Sequence, residues 1–188
     1  MVSFYGGYMK TKQLRKLSPF EQGGLDSLCG IYSLINAGQI VNKNANSERL
    51  FRSVISYLAR NNKLQDTLIS GMLFKGIKEL VDNIFAAIWK YEIKYAGVPT
   101  PELDVFWREM RRFLNGDPKK AIVVGLSGTH DHWTVIKEIS DKRLVLHDSD
   151  GLCYLSRKHC TTGCVTGPQL HVLHPAQTLF ISEKNENK

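Results

Sequence analysis

Four residues of the 188-residue chain have the types and the order needed for attack on an acyl carbon: Gln22, Cys29, His132 and Asp148. Cysteine attacks as its thiolate, so a working site must stabilise that anion. The two simplest devices are a helix N-terminus and a neighbouring imidazole. Cys29 lies in EQGGLDSLCGIYSLINAG, residues 21–38, at the head of an apolar run that reads as a helix, and this supplies the first device. GTHDHWTVI, residues 128–136, offers two imidazoles, His130 and His132, at the mouth of a predicted strand. His132 is the better placed, because it enters the strand directly and its backbone is held there.

A general base works best when its second ring nitrogen donates to an acceptor that fixes the tautomer. RLVLHDSDG, residues 143–151, reads as the following strand; it closes at Asp148, with Asp150 just beyond as a second candidate. In an antiparallel hairpin the start of one strand lies beside the end of the next, so His132 and Asp148 are expected to be neighbours. An acyl-transfer intermediate also needs donors for its oxyanion. The backbone N–H of Cys29 is one and the side-chain amide of Gln22 is another, with Gly23 and Gly24 expected to give the sharp turn that folds Gln22 over the sulfur.

The elements that must position these groups fall into two textures. Up to about Gly116 the periodicity is mostly helical: Asp26 or Ser27 is expected to cap a helix from about Leu28 to Gln39. A second helix is expected over roughly Ser47 to Asn61, with Leu50, Val54, Tyr57 and Leu58 on one face, and further helical segments around 69–81 and 101–114. Beyond Lys119 the segments AIVVGL, HWTVIKEI, RLVLHD and TLFIS read as strands separated by turn signals, and YEIKYAG as an earlier strand. The pattern is α+β, a helical N-terminal half packed on an antiparallel sheet. With 43% hydrophobic residues it fits a single domain over 1–188, with 1–12 and 183–188 as flexible ends.

Composition narrows the setting. A net charge of +7 favours an acidic partner surface, but the basic residues are scattered without an aromatic-interleaved stripe, which argues against specific nucleic acid. Cys29, Cys153, Cys160 and Cys164 do not form the dense framework of a small secreted domain. The N-terminus has no apolar segment of signal-peptide length, and runs such as LISGMLF and NIFAAIW are too short to span a bilayer. The expectation is a cytoplasmic protein; secretion by a signal-independent route would leave no mark of this kind.

Other roles compete for the same residues. His130 and His132 form an H-x-H that, with Glu138 and the stretch His147 to Asp150, could ligate a metal on a small barrel; the helical first half argues against that fold. Cys153, Cys160, Cys164 and His159 lack zinc-site spacing and read as structural cysteines or a disulfide. Trp133 could shield the imidazole or pack as a core aromatic. FWREMRR, residues 106–112, and the early cations Lys10, Lys12, Arg15 and Lys16 could meet an acidic partner, but read equally as solvated faces.

The order Gln22, Cys29–Gly30, His132–Trp133, Asp148 resembles that of the papain-like cysteine peptidase superfamily, most of all the bacterial peptidases that trim double-glycine leaders and their stand-alone relatives. The resemblance covers residues 21–38 and 130–151. It implies a papain-like fold with Cys29 as nucleophile, His132 as general acid and base, Asp148 as orienting carboxylate and Gln22 as oxyanion donor. It also implies a protein or peptide substrate, with no cofactor and no metal. The chain departs from the leader peptidases in placing Asp26 three residues before the cysteine and Ser149 after the aspartate. The expected activity is therefore a thiol hydrolase, a peptidase or isopeptidase; a related deamidase or acyl transferase uses the same groups, and a catalytically silent binding or inhibitor protein is the alternative of another class.

Overall fold

The computed structural model describes residues 17–85, 91–96 and 102–184. The early cations Lys10, Lys12, Arg15 and Lys16, the flexible end expected over 1–12, and residues 185–188 of the one expected over 183–188 lie outside the described residues. Within them the N-terminal helices are α1 (Cys29–Val41), α2 (Ser47–Arg60), α3 (Leu64–Ser70) and α4 (Phe74–Leu80), the last running into a π-turn over Val81–Phe85. Then follow β1 (Tyr91–Tyr95), α5 (Leu103–Leu114), β2 (Lys120–Gly128), β3 (His132–Ile139), β4 (Arg143–Leu146), β5 (Tyr154–Ser156), β6 (Cys160–Thr161) and β7 (His171–Glu183). The sheet has the order β1-β7-β2-β3-β4-β5 with antiparallel neighbours, and β6 adds to β7 in parallel.

The central strands β2 and β3 are buried on both faces over most of their length, which explains their apolar runs. Along β2, Ala121 and Val123 face a core built with α1, α2 and α4, while Ile122, Val124 and Leu126 face a second core closed by α5. Helix α1 is the central one: Ile31, Leu34, Ile35, Ala37, Ile40 and Val41 are all buried, so it is apolar nearly all round. Helix α5 is amphipathic, with Phe106, Trp107, Met110 and Leu114 buried at three-to-four spacing. FWREMRR is thus a core-facing helix whose cations cover its outer side, Arg111 pairing with Asp141.

The fold is α+β with helices packed on an antiparallel sheet, but α5 covers the face opposite the N-terminal helices, so the helices lie on both sides. The segment expected as one helix over 69–81 is broken at Gly71, whose φ of 77° ends α3 in the left-handed region before α4 begins. Strand β7 begins well before TLFIS. Its pairing with β2 jumps from Gly125↔His174 to Val124↔Thr178, so Pro175, which has no N–H to donate, stands in the bulge between. At its other end β7 runs to Glu183, which pairs with Lys119, so the polar tail starts later than 183. Among the described residues no helix is long and apolar enough to cross a membrane.

Candidate active site

Helix α1 begins at Cys29 with Leu28 as its N-cap, and no side chain caps it. The expected cap by Asp26 or Ser27 is not formed, because both side chains are engaged elsewhere. Asp26 accepts the Gly23 N–H on Oδ2 at 2.7 Å and the Leu28 N–H on Oδ1 at 3.1 Å, while Ser27 Oγ donates to the Ile69 carbonyl at 2.9 Å. The carboxylate of Asp26 therefore shapes the turn over 23–26. Neither Gly23 nor Gly24 has a positive φ, and a β-carbon at Gly24 would meet nothing, so this glycine is not what the turn requires. The Leu28 carbonyl accepts from both Ile31 N–H (2.9 Å) and Tyr32 N–H (3.0 Å). No hydrogen bond among the described residues takes the Cys29 and Gly30 N–H groups, which remain available at the positive end of the helix.

The helix is pinned to the sheet one turn below the sulfur. Buried Ser33 donates Oγ to the Trp133 carbonyl at 2.8 Å, fixing α1 against the residue that follows His132. Close approach of the two depends on Gly30: a β-carbon there would lie 2.7 Å from Ile77 Cδ1 and 3.3 Å from Trp133 Cδ1. Trp133 is a core aromatic, its Nε1–H donating to the Met72 carbonyl at 2.8 Å and its ring stacked on Phe74 with centroids 6.1 Å apart. A turn further along, buried Asn36 grips the Phe20 backbone, accepting its N–H at 2.8 Å and donating to its carbonyl at 3.0 Å. Gln22, two residues on, donates its backbone N–H to the Ser149 carbonyl at 3.0 Å. The loop bearing Gln22 is thereby tied both to α1 and to the residue after Asp148.

His132 and Asp148 are both buried, with Nε2 of the ring 2.9 Å from Oδ2 of the carboxylate. The ring's remaining polar atom, Nδ1, is left free of Asp148, and Cys29 is near enough to raise the pKa of the ring. Burial alone would lower the imidazole pKa, but the hydrogen bond and charge of Asp148, with Cys29 acting in the same direction, outweigh it and push His132 up to about 10. Burial would correspondingly raise Asp148. Its hydrogen bond to His132, the Thr134 hydroxyl nearby and the Asp150 N–H instead hold it below the ordinary carboxylate value. Thr134 Oγ1 is itself buried without a hydrogen-bond partner. Oδ1 of Asp148 accepts the N–H groups of Asp150 at 2.8 Å and Leu152 at 3.1 Å.

Cys29, His132 and Asp148 are thus brought together from the two ends of the chain. Asp148 lies just past β4 rather than at its end, held by the His147 N–H to Val135 carbonyl bond of 2.8 Å. Asp150 is exposed and reaches the cluster only through its backbone N–H. Gln22 arrives beside Ser149; its Oε1 is buried without a partner, and no hydrogen bond among the described residues commits its amide. His130 diverges from His132, its ring stacked on His171 with centroids 5.4 Å apart. His147 faces Gln39. Among the described residues no three His, Cys, Asp or Glu side chains are grouped to hold a metal ion. All four cysteines are free: Cys29 is half-buried, Cys153 and Cys164 are exposed, and Cys160 is buried, with its thiol pushed up to about 12. The positioning residues Ser33 and Asn36 escaped the sequence reading. Their signal was polarity at the fourth and seventh positions after Cys29 on an otherwise apolar helix.

Set against protein-family models, curated proteins and solved structures, the chain matches none.

Proposed function

We propose that the chain is a thiol-dependent hydrolase of papain-like fold, a cysteine peptidase or isopeptidase in which Cys29, His132 and Asp148 act as nucleophile, acid–base and orienting carboxylate. The observation that carries this reading is the buried pairing of His132 Nε2 with Asp148 Oδ2 at 2.9 Å, on a ring whose pKa both Asp148 and Cys29 raise. A protonated ring beside the sulfur is the partner a thiolate needs. The thiolate attacks the amide carbonyl, and the oxyanion takes the free N–H groups of the first turn of α1 and the Gln22 amide. Collapse expels the amine, which takes its proton from His132. The neutral ring then draws a proton from water as the oxygen attacks the thioester, and the released thiolate restores the pair.

This reading carries with it a protein or peptide substrate, chemistry that needs no cofactor, and a compartment such as the cytoplasm that keeps the thiol reduced. Deamidation and acyl transfer use the same groups and differ in product: free ammonia, or a new amide, instead of two peptide fragments. The test is limited alkylation with iodoacetamide followed by peptide mass spectrometry. Half-buried Cys29 is expected to react ahead of the exposed Cys153 and Cys164, and to lose that lead in His132→Ala. Slower reaction at Cys29 than at those two, unchanged by His132→Ala, would make the chain a binding protein on this fold.

A further inference from the structure

A cavity of about 640 Å³ opens at the C-terminal end of α1, where Ile40 and Lys43 meet the end of α5, strand β3 and His147 just past β4. Ile40 is eleven residues from Cys29, about 16 Å along the helix axis, so this is a separate place in the fold. Its volume lies within the range of small-molecule sites. Apolar side chains line part of it, among them Ile40, Leu114 and Ile139.

The charges on the remainder are unevenly committed. Arg111 is engaged by Asp141, and Asp117 accepts the Lys119 N–H at 2.9 Å with Lys120 Nζ 3.7 Å away. Lys43, Lys137 and Glu138 have no ion-pair partner among the described residues, which leaves two free cations against one free anion. Lys137 is the extra residue of a bulge: the β3–β4 pairing passes from Ile136↔Leu146 to Glu138↔Val145 and leaves it without an opposite number. Beside it stands the buried ring of His147, whose contact with Gln39 is long at 3.4 Å. Burial first, and the Lys137 charge second, hold that ring neutral, with Asp148 opposing them.

We propose that this cavity binds a small organic anion, a phosphate monoester on an apolar body, its head drawn to Lys43 and Lys137 beside His147 and its body against Ile40, Leu114 and Ile139. The sixteen residues before Leu17 cannot supply the anion: they carry Lys10, Lys12, Arg15 and Lys16 and no carboxylate. The site does not depend on Cys29 being catalytic. Its ring neighbour, His147, precedes Asp148 in the chain, so a ligand there is felt one residue from the proposed catalytic carboxylate.

The experiment is a titration of the full chain with phenyl phosphate, followed by the His147 ring resonances and by calorimetry. Saturable binding with a shift at His147 is expected, weakened about tenfold in Lys137→Ala and in Lys43→Ala and tightened severalfold in Glu138→Gln. Both lysines stand at the surface or half-buried, so either variant should fold, and each checks the other. Absence of saturation, undiminished binding in both lysine variants, an equal response to phenol, or equal affinity for inorganic phosphate would overturn the assignment.

Discussion

The carboxylate of Asp148 receives the His132 ring on one oxygen and two backbone N–H groups on the other, so it cannot turn from the imidazole without giving up three hydrogen bonds. Asp148→Asn removes the charge while keeping the shape. In that variant the His132 pKa should fall from its value of about 10, as read by ring resonances against pH, while Asp150→Asn should leave it unmoved, because Asp150 contributes only backbone. The sign of the stability effect follows from the directions of the two shifts. His132 is raised, so its contribution is complete below the ordinary histidine value of about 6.5 and fades as pH rises through about 10. Asp148 is depressed, so its contribution is present above the ordinary carboxylate range and fades as pH falls through its own lower value. Melting temperatures of the parent and of Asp148→Asn should therefore differ most near neutral pH and converge at both extremes. The pairing of His132 with Asp148 was legible because a hairpin leaves few alternatives. The choice over Asp150 was not, since both precede Gly151, and what separates them is a pair of N–H bonds made after folding.

At the scale of the element, α1 sets the distance from Cys29 to the sheet through Gly30 and Ser33. Gly30→Ala would gain at most about 1 kcal/mol of helix propensity and lose about 1–3 kcal/mol to overpacking, because its new methyl meets Ile77 and Trp133. Calorimetry should show a lower melting temperature, and the alkylation lead of Cys29 should shrink as the helix is pushed off the strand. Ser33→Ala leaves the Trp133 carbonyl buried and unpaired, at a cost of about 1–3 kcal/mol. The predicted helix, Leu28 to Gln39, came within two residues of Cys29–Val41 at its C-terminal end, because its apolar spacing is strong. Its cap was misread because Asp26 and Ser27 are good capping types whose partners, Gly23 and Ile69, are set by the turn and by α3. Strand β3 was read in full as HWTVIKEI, whereas the early part of β7 was missed, since a proline within a strand pattern argues against a strand unless a bulge takes it.

Across the whole molecule, one sheet serves two cores, and consecutive residues of β2 belong to opposite ones: Val123 to the core of α1, Ile122 to that of α5. The sequence pattern separated a helical half from a strand half and so placed the helices together. It could not show that α5, entering the sheet region from the helical half, takes the far face. This sharing has a mechanical consequence for the candidate site. Trp107 is buried under α5, where its Nε1–H donates to the Ser140 carbonyl at 2.8 Å, on the side of the sheet away from α1. Trp107→Ala should cost about 3–5 kcal/mol, a large share of the about 5–15 kcal/mol that holds a domain of this kind. Because His132 lies on a strand common to both cores, the loss should not stay on the α5 side. Circular dichroism and the exposure of Cys29 to a thiol reagent should follow a single transition, shifted together to lower denaturant. If the α5 face melted first and left Cys29 protected, the two cores would be separate cooperative units, and the sheet would not be transmitting the stability of one face to the other.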